Sequence, residues 1–169
     1  MSPQIALIGL NQVGASIGLA LGAYKENITR VGHDADSARM RRLEKEGVCD
    51  KTHTRLPDAV RGADMVILSL PTDLLRDALG LIAGEVFPQA VVVCISAVAR
   101  VAYQWARELL PPQQPFIVLQ PVLHPARLRD WEENSSNPYA DLFENTHMLV
   151  VTDSNTQEKA FQLANDLCA

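Results

Sequence analysis

Residues 5–18 read IALIGLNQVGASIG. Four apolar residues, Ile5-Ala6-Leu7-Ile8, run straight into Gly9, and Gly14 follows five positions later inside a small-residue, helix-like stretch. A strand that halts at glycine and turns at once into a helix offers free backbone N–H groups and the positive end of a helix dipole to an anion. The glycines let the backbone turn and come close, which is how the pyrophosphate of a dinucleotide is held. The full pattern is G-x-G-x-x-G. Its central glycine is here Asn11, a residue that tolerates left-handed backbone angles. Gly9, Asn11, Gln12, Val13 and Gly14 form the expected cradle.

The surrounding residues supply the context that such a motif needs. Val13 to Ala23 reads as an apolar helix able to lie on a sheet, and Ile28 to Val31 is a β-branched run ending in Gly32-His33-Asp34. Asp34 stands twenty residues after Gly14, the spacing of the carboxylate that hydrogen-bonds the adenosine ribose. That carboxylate repels a 2′-phosphate, and no arginine follows it before Arg39, so NAD is expected in preference to NADP. The alternative is an ordinary βαβ unit whose glycines serve packing alone.

With 169 residues, 47% hydrophobic and 21% charged, the chain suits one α/β domain with a substantial core. A net charge of −5 argues against nucleic acid or an anionic membrane as partner. The longest apolar runs, Met65–Leu70 and Val91–Ile95, are strand-length and too short to span a bilayer. The N-terminus has no basic region ahead of its apolar segment. The three cysteines, Cys49, Cys94 and Cys168, are far apart and read as unpaired thiols of a reducing cytoplasm. His53 and His147 have no partner at ligand spacing, so no metal site is expected.

Strand-like and helix-like segments alternate throughout, which predicts a Rossmann-type doubly wound, mostly parallel sheet with helices on both faces. Helices are expected near 37–46 with Ser37 as cap, at 56–62, 73–83 and 101–110, and from a Ser154-x-x-Gln157 capping box onward. Strands are expected at 48–52, 65–70, 91–95, 116–119 and 148–151. Leu70 and Pro71, ending the fourth strand, would border the cofactor in such a fold. Residues 120–145 hold Pro121, Pro125, Pro138 and a polar run, a long loop of the kind that is usually functional. Ser16 is open to two readings, a phosphate contact or a small residue packed on the sheet; His33 is either near adenine or simply exposed.

Several stretches are similar to the nucleotide-binding half of the prephenate/arogenate dehydrogenase family. Gly9-Leu10-Asn11-Gln12-Val13-Gly14-Ala15-Ser16 resembles GLGLIGGS, Ala63 to Pro71 resembles ADLVVLAVP, and Gly47-Val48-Cys49-Asp50 follows the second helix as in the family. Ala140-Asp141-Leu142-Phe143-Glu144-Asn145 resembles ADLFEN before the last strand and is the most specific match. The resemblance implies oxidation of a small cyclic hydroxy acid with loss of carbon dioxide, hydride passing to NAD(P)⁺. It also implies a histidine in a GGHP-type motif as proton acceptor, assisted by a serine in a DxGSVK-type motif. In this chain Gln120 stands at the histidine position and Ala97 at the serine, with Ser96 one place before it. His124-Pro125 lies four residues on, so His124, Gln120 and Ser96 are the catalytic candidates, with a solvated loop histidine as the other reading of His124.

The same resemblance implies that residues 1–169 are the NAD(P)-binding domain, followed in the full-length protein by a helical substrate domain that makes a homodimer. The final helix runs to Ala169 with no glycine stop, and the chain is expected to continue into that domain. The competing expectation is a dinucleotide-binding module that has lost or altered catalysis. Arg100, Arg127 and Arg129 are the cations nearest the expected crevice.

Overall fold

A computed structural model describes residues 2–122 and 137–168. Seven strands form one sheet: β1 (Gln4–Ile8), β2 (Thr29–His33), β3 (Lys51–Thr52), β4 (Met65–Leu68), β5 (Val91–Ile95), β6 (Phe116–Pro121) and β7 (Met148–Val151). Their order is β3-β2-β1-β4-β5-β6-β7. All pairings are parallel except β6–β7, which is antiparallel with Gln120 opposite Leu149. The chain winds outward from β1 in one direction and then from β4 in the other. The crevice between the carboxyl ends of β1 and β4 is thus the topological switch point, where open α/β sheets bind ligands.

Among the described residues the helices are α1 (Gln12–Ala20), α2 (Ser37–Lys45), α3 (Leu56–Val60), α4 (Thr72–Ile82), α5 (Ala99–Leu109) and α6 (Glu158–Cys168), with a 3₁₀ turn at Leu21–Tyr24. They cover both faces, because side chains alternate across every central strand. Ala6, Ile8, Val66, Leu68, Val92, Cys94 and Val118 pack with Ala59, Leu75, Leu79, Ala102 and Ala106 of α3, α4 and α5. Leu7, Ile67, Val93, Ile117 and Leu119 pack with Ala15, Ile17, Met40, Leu43, Ala160 and Ala164 of α1, α2 and α6. The near-continuous apolar strands of the sequence are what two buried faces require, and the doubly wound fold follows.

Several boundaries differ from the sequence expectation for identifiable reasons. The cap of α2 is Asp36 rather than Ser37: its Oδ1 accepts the N–H groups of Ala38 and Arg39 at 2.9 and 3.1 Å. The expected strand 48–52 shrinks to Lys51–Thr52, because Val48 and Cys49 turn inward and are buried. β4 stops at Leu68, since the Ser69 carbonyl is taken by the Asn11 side chain. The Ser154-x-x-Gln157 box does not form; Gln157 donates to the Gln113 carbonyl at 2.8 Å, and α6 starts at Glu158.

One ion pair, between a buried arginine and an exposed aspartate, ties the first wing together. Arg30 on β2 is 3% exposed and meets Asp50 through Nη2 at 2.7 Å and Nε at 3.2 Å. Its Nη1 donates to the carbonyls of Gly18 at 2.8 Å and Gly47 at 3.0 Å, at the ends of α1 and α2. These are the electronegative ends of two helices, where a cation is favoured. Among the described residues no helix is long and apolar enough to cross a membrane.

Candidate functional site: the glycine turn at the β1–β4 crevice

β1 ends at Ile8, and Gly9 turns the chain with φ +86°. A Cβ at Gly9 would lie 2.1 Å from the Ser69 carbonyl oxygen and 2.8 Å from Leu70 Cδ2, so only glycine fits between the ends of β1 and β4. A Cβ at Gly14 would lie 2.1 Å from the Gly9 carbonyl oxygen. Gly14 is therefore required for the helix to start against its own turn, before any phosphate is considered.

Asn11 is not in the left-handed region; its φ is −67° and ψ 179°. It is the N-cap of α1 instead, and this corrects the reason given for its tolerance. Its Oδ1 accepts Gly14 N–H at 3.0 Å and the Ser69 hydroxyl at 3.0 Å, and its Nδ2 donates to the Ser69 carbonyl at 2.7 Å. The carboxamide is thus folded back onto the end of β4. The Gly14 N–H is taken by Asn11 Oδ1 and the Ala15 N–H by the Asn11 carbonyl. The backbone N–H groups of Gln12 and Val13 have no acceptor among the described residues, and they are the first-turn donors of a helix whose dipole is positive there.

Asp34, one residue past β2, is 8% exposed. Its Oδ2 accepts Leu10 N–H at 2.8 Å and its Oδ1 accepts Asp36 N–H at 2.8 Å. The carboxylate expected to hold ribose is therefore bonded directly to the glycine turn. Arg39 Nη1 stands 3.3 Å from Asp34 Oδ2, an arginine that the sequence reading had set aside as distant. The Asp36 carboxyl is held below the usual range by the Arg39 and Ala38 N–H groups it accepts. Leu70 is half-buried beside Gly9, and Pro71 is exposed at the start of α4.

Ser16 is fully buried and its Oγ accepts the Tyr139 N–H at 2.9 Å, which favours the packed reading of this residue over the phosphate contact. Gln12 is 8% exposed, and its Nε2 donates to the Asn137 carbonyl at 3.2 Å. These two bonds bring residues 137–139 across the first turns of α1. The Ala140–Asn145 segment then explains itself structurally: Leu142 is buried, Phe143 packs on the α1 face, and Asn145 takes φ +54° to turn into β7. Nothing local in the sequence signals the Gln12 and Ser16 bonds, whose partners are more than 120 residues away. The Asn11 cap went unread, although asparagine ahead of a helix is itself a capping signal.

Ser96 and Gln120 lie at the carboxyl ends of β5 and β6, both half-buried. Ser96 N–H donates to the Leu119 carbonyl at 3.1 Å, which holds the two strand ends together, and Ser96 Oγ accepts Val98 N–H at 3.1 Å. His124, like Arg127 and Arg129, lies outside the described residues. Among the described residues no group of three or more His, Cys, Asp or Glu is placed to hold a metal. Cys49 and Cys94 are free and buried, and burial pushes both thiols up to about 12. An apolar groove of about 920 Å³ opens on the face between α1 and α6, lined by Ile5, Ile17, Leu21, Met65 and Leu163. It touches no residue of the glycine turn, and donor geometry rather than volume marks the site.

The family described as prephenate dehydrogenase, nucleotide-binding domain, matches residues 17–169. That span begins past Gly14, so the match and the glycine turn are separate observations. A cyclohexadienyl dehydrogenase of Zymomonas mobilis is 27% identical over 166 residues, covering 96% of this chain and 53% of its own length. The prephenate dehydrogenase of Aquifex aeolicus, solved with hydroxyphenyl propionate and NAD⁺, superposes with a TM-score of 0.81 at 16% identity. That superposition covers 99% of this chain and 57% of the other. Synechocystis arogenate dehydrogenase gives a TM-score of 0.79 at 16% identity, over 97% of this chain and 55% of that one. The chain spans about half the length of these relatives. With its own glycine turn and a family match over most of its length, the chain belongs to the prephenate dehydrogenase nucleotide-binding domain family.

Proposed function

We propose that this chain binds NAD, in preference to NADP, as the nucleotide-binding half of a dehydrogenase of the prephenate and arogenate type. The observation that carries the reading is the pair of N–H groups on Gln12 and Val13, which have no acceptor among the described residues. They are held at the switch point by a turn in which neither Gly9 nor Gly14 has room for a Cβ. Those donors and the helix dipole suit a pyrophosphate, Asp34 suits the ribose hydroxyls, and Leu70 and Pro71 border the crevice. When bound, the nicotinamide supplies the hydride acceptor.

The substrate class is a small cyclic hydroxy acid, whose ring alcohol loses a hydride and a proton while its carboxylate leaves as carbon dioxide. Ser96 Oγ already accepts Val98 N–H, so its own proton is free to be donated to a substrate oxygen. Gln120 offers a neutral amide that orients a substrate group and cannot take up a proton. His124 is the candidate proton acceptor. The relatives are about twice as long as this chain, which leaves room for a further domain; that it is helical, completes the substrate crevice and forms a homodimer is what the family resemblance implies, and the free cysteines suit a cytoplasmic location.

Gln120 at the expected base position favours a second reading, a dinucleotide-binding module without turnover. Calorimetry with NAD⁺ on residues 1–169 should show binding, and this domain alone should show no dehydrogenase activity. The full reading frame, given prephenate, arogenate and related hydroxy acids, should release NADH. Binding without turnover on any of them selects the second reading, and no binding of either dinucleotide sinks both.

A further inference from the structure

Gln12 serves two partners at once. Its backbone N–H, like that of Val13, is a first-turn donor of α1 with no acceptor among the described residues. Its side chain is turned elsewhere: the residue is 8% exposed, and Nε2 donates to the Asn137 carbonyl at 3.2 Å. Ser16 stands four residues on, on the same face of the helix, and its Oγ accepts the Tyr139 N–H at 2.9 Å. The helix that begins at the glycine turn therefore holds residues 137–139 by their backbone.

From there the chain reaches the far side of the crevice in a few residues. Leu142 N–H donates to the Tyr139 carbonyl at 3.2 Å, Leu142 is fully buried, and Phe143 packs on the sheet face that α1 covers. After the turn at Asn145, the His147 carbonyl accepts the Val122 N–H at 2.9 Å, and Met148 and Leu149 lie opposite Pro121 and Gln120. Residues 137–149 thus run from the first turn of α1 to the carboxyl end of β6, where Gln120 stands.

We propose that Gln12 is a positioning residue that couples these two ends. Dinucleotide held on its N–H fixes the 137–149 segment through its carboxamide, and with that segment the Gln120 end of β6. A phosphate on the first-turn donors restrains that turn, so the carboxamide has less freedom to lose when it bonds Asn137. Such coupling is reciprocal: a fixed segment tightens dinucleotide binding by the same factor. The factor is bounded by the worth of one neutral hydrogen bond, about twofold to tenfold. The inference rests on the dinucleotide reading above.

The test is amide hydrogen exchange, resolved by NMR, with and without saturating NAD⁺, beside NAD⁺ calorimetry. Tyr139 N–H reports the near end of the segment and Val122 N–H the far end. Val66 N–H, in the buried centre of β4, reports the general stabilisation that any bound ligand confers. Gln12→Met keeps the bulk of the buried side chain without its donor, and Gln12→Ala removes both; each is first checked by thermal melting. In the wild type NAD⁺ should slow Tyr139 and Val122 by about twofold to tenfold. In both variants that slowing should vanish while Val66 is still slowed, and NAD⁺ affinity should fall by the factor lost. Equal slowing of Tyr139 in the wild type and Gln12→Met overturns the inference. So does an affinity loss well beyond the slowing factor, which would put the carboxamide on the nucleotide itself. A wild type that binds NAD⁺ with Tyr139 exchange unchanged overturns it whether or not the variants fold. A wild type that binds no dinucleotide overturns the nucleotide reading instead.

Discussion

Replacing Asn11 separates the two jobs that its carboxamide performs, bracing the fold and leaving room for a phosphate. Asn11→Ala removes the cap on Gly14 N–H and both bonds to Ser69. Loss of an N-cap costs about 1 kcal/mol, and each bond to Ser69 adds about 0.5–1.5 kcal/mol because Ser69 is almost fully buried. The total of about 2–4 kcal/mol corresponds to a melting temperature lower by roughly 4–16 °C for a chain of this size. Asn11→Gly keeps most of the capping preference but also loses both bonds to Ser69, so it should lose about 1–3 kcal/mol, less than Asn11→Ala by roughly the cap alone. Asn11→Asp keeps the acceptor for Gly14 and the Ser69 hydroxyl, but sets a negative charge against the Ser69 carbonyl and beside the anion-binding N–H groups. It should melt above Asn11→Ala and bind NAD⁺ worst of the three. Thermal melts paired with NAD⁺ calorimetry read both orders. A melting temperature for Asn11→Ala equal to that of the wild type refutes the clamp, and full NAD⁺ affinity in Asn11→Asp refutes the placement of the phosphate.

Gly14→Ala puts a Cβ 2.1 Å from the Gly9 carbonyl oxygen, so it should lower the melting temperature even without nucleotide, as well as abolish NAD⁺ binding; a variant as stable as the wild type would contradict this. The Arg30 hydrogen bond holds the Asp50 carboxyl below its ordinary value. The resulting stability is present above the unfolded value of about 3.9 and is lost as pH falls through the lower folded value. Asp50→Asn should therefore be less stable than the wild type at neutral pH and converge on it in acid, by urea melts across pH 2.5–7; the 37% exposure of Asp50 keeps the effect modest. Burial raises the Cys49 and Cys94 thiols to about 12, so an aromatic disulfide reagent at pH 8 should titrate the exposed Cys168 alone in native protein and all three thiols in denaturant.

Most of the fold was legible because its signals are local and repeated. Val91–Ile95 and Met148–Val151 have the predicted bounds, since a short apolar run bounded by turn residues leaves few other options. Boundaries slipped where a distant partner decides them: Ser69 leaves β4 because Asn11 claims its carbonyl, and Val48 leaves β3 because it is needed in the core. The candidate site was legible as a list of positions and less so as chemistry. Gly9, Gly14 and Asp34 were found by spacing, yet Gly14 is demanded first by the Gly9 carbonyl, and Asp34 braces the turn through Leu10. Arg39 was discounted by counting along the chain, whereas the first turn of α2 carries it back to Asp34.

The position of β1 has a consequence for how the molecule is made. The five residues Gln4–Ile8 are made before every other strand of this sheet and become an interior strand, paired on one side with residues 29–33 and on the other with 65–68. Each later strand then joins an edge that already exists: β2 and β3 to one flank, β4 to β7 in turn to the other. No strand has to insert between two that are already paired, so the sheet can assemble during synthesis by simple accretion, in the order in which its strands emerge. The edge that waits longest for a partner belongs to β1, whose second flank stays open until residue 65 has been synthesised, and nascent chains halted between β2 and β4 should be the ones most prone to pair with each other.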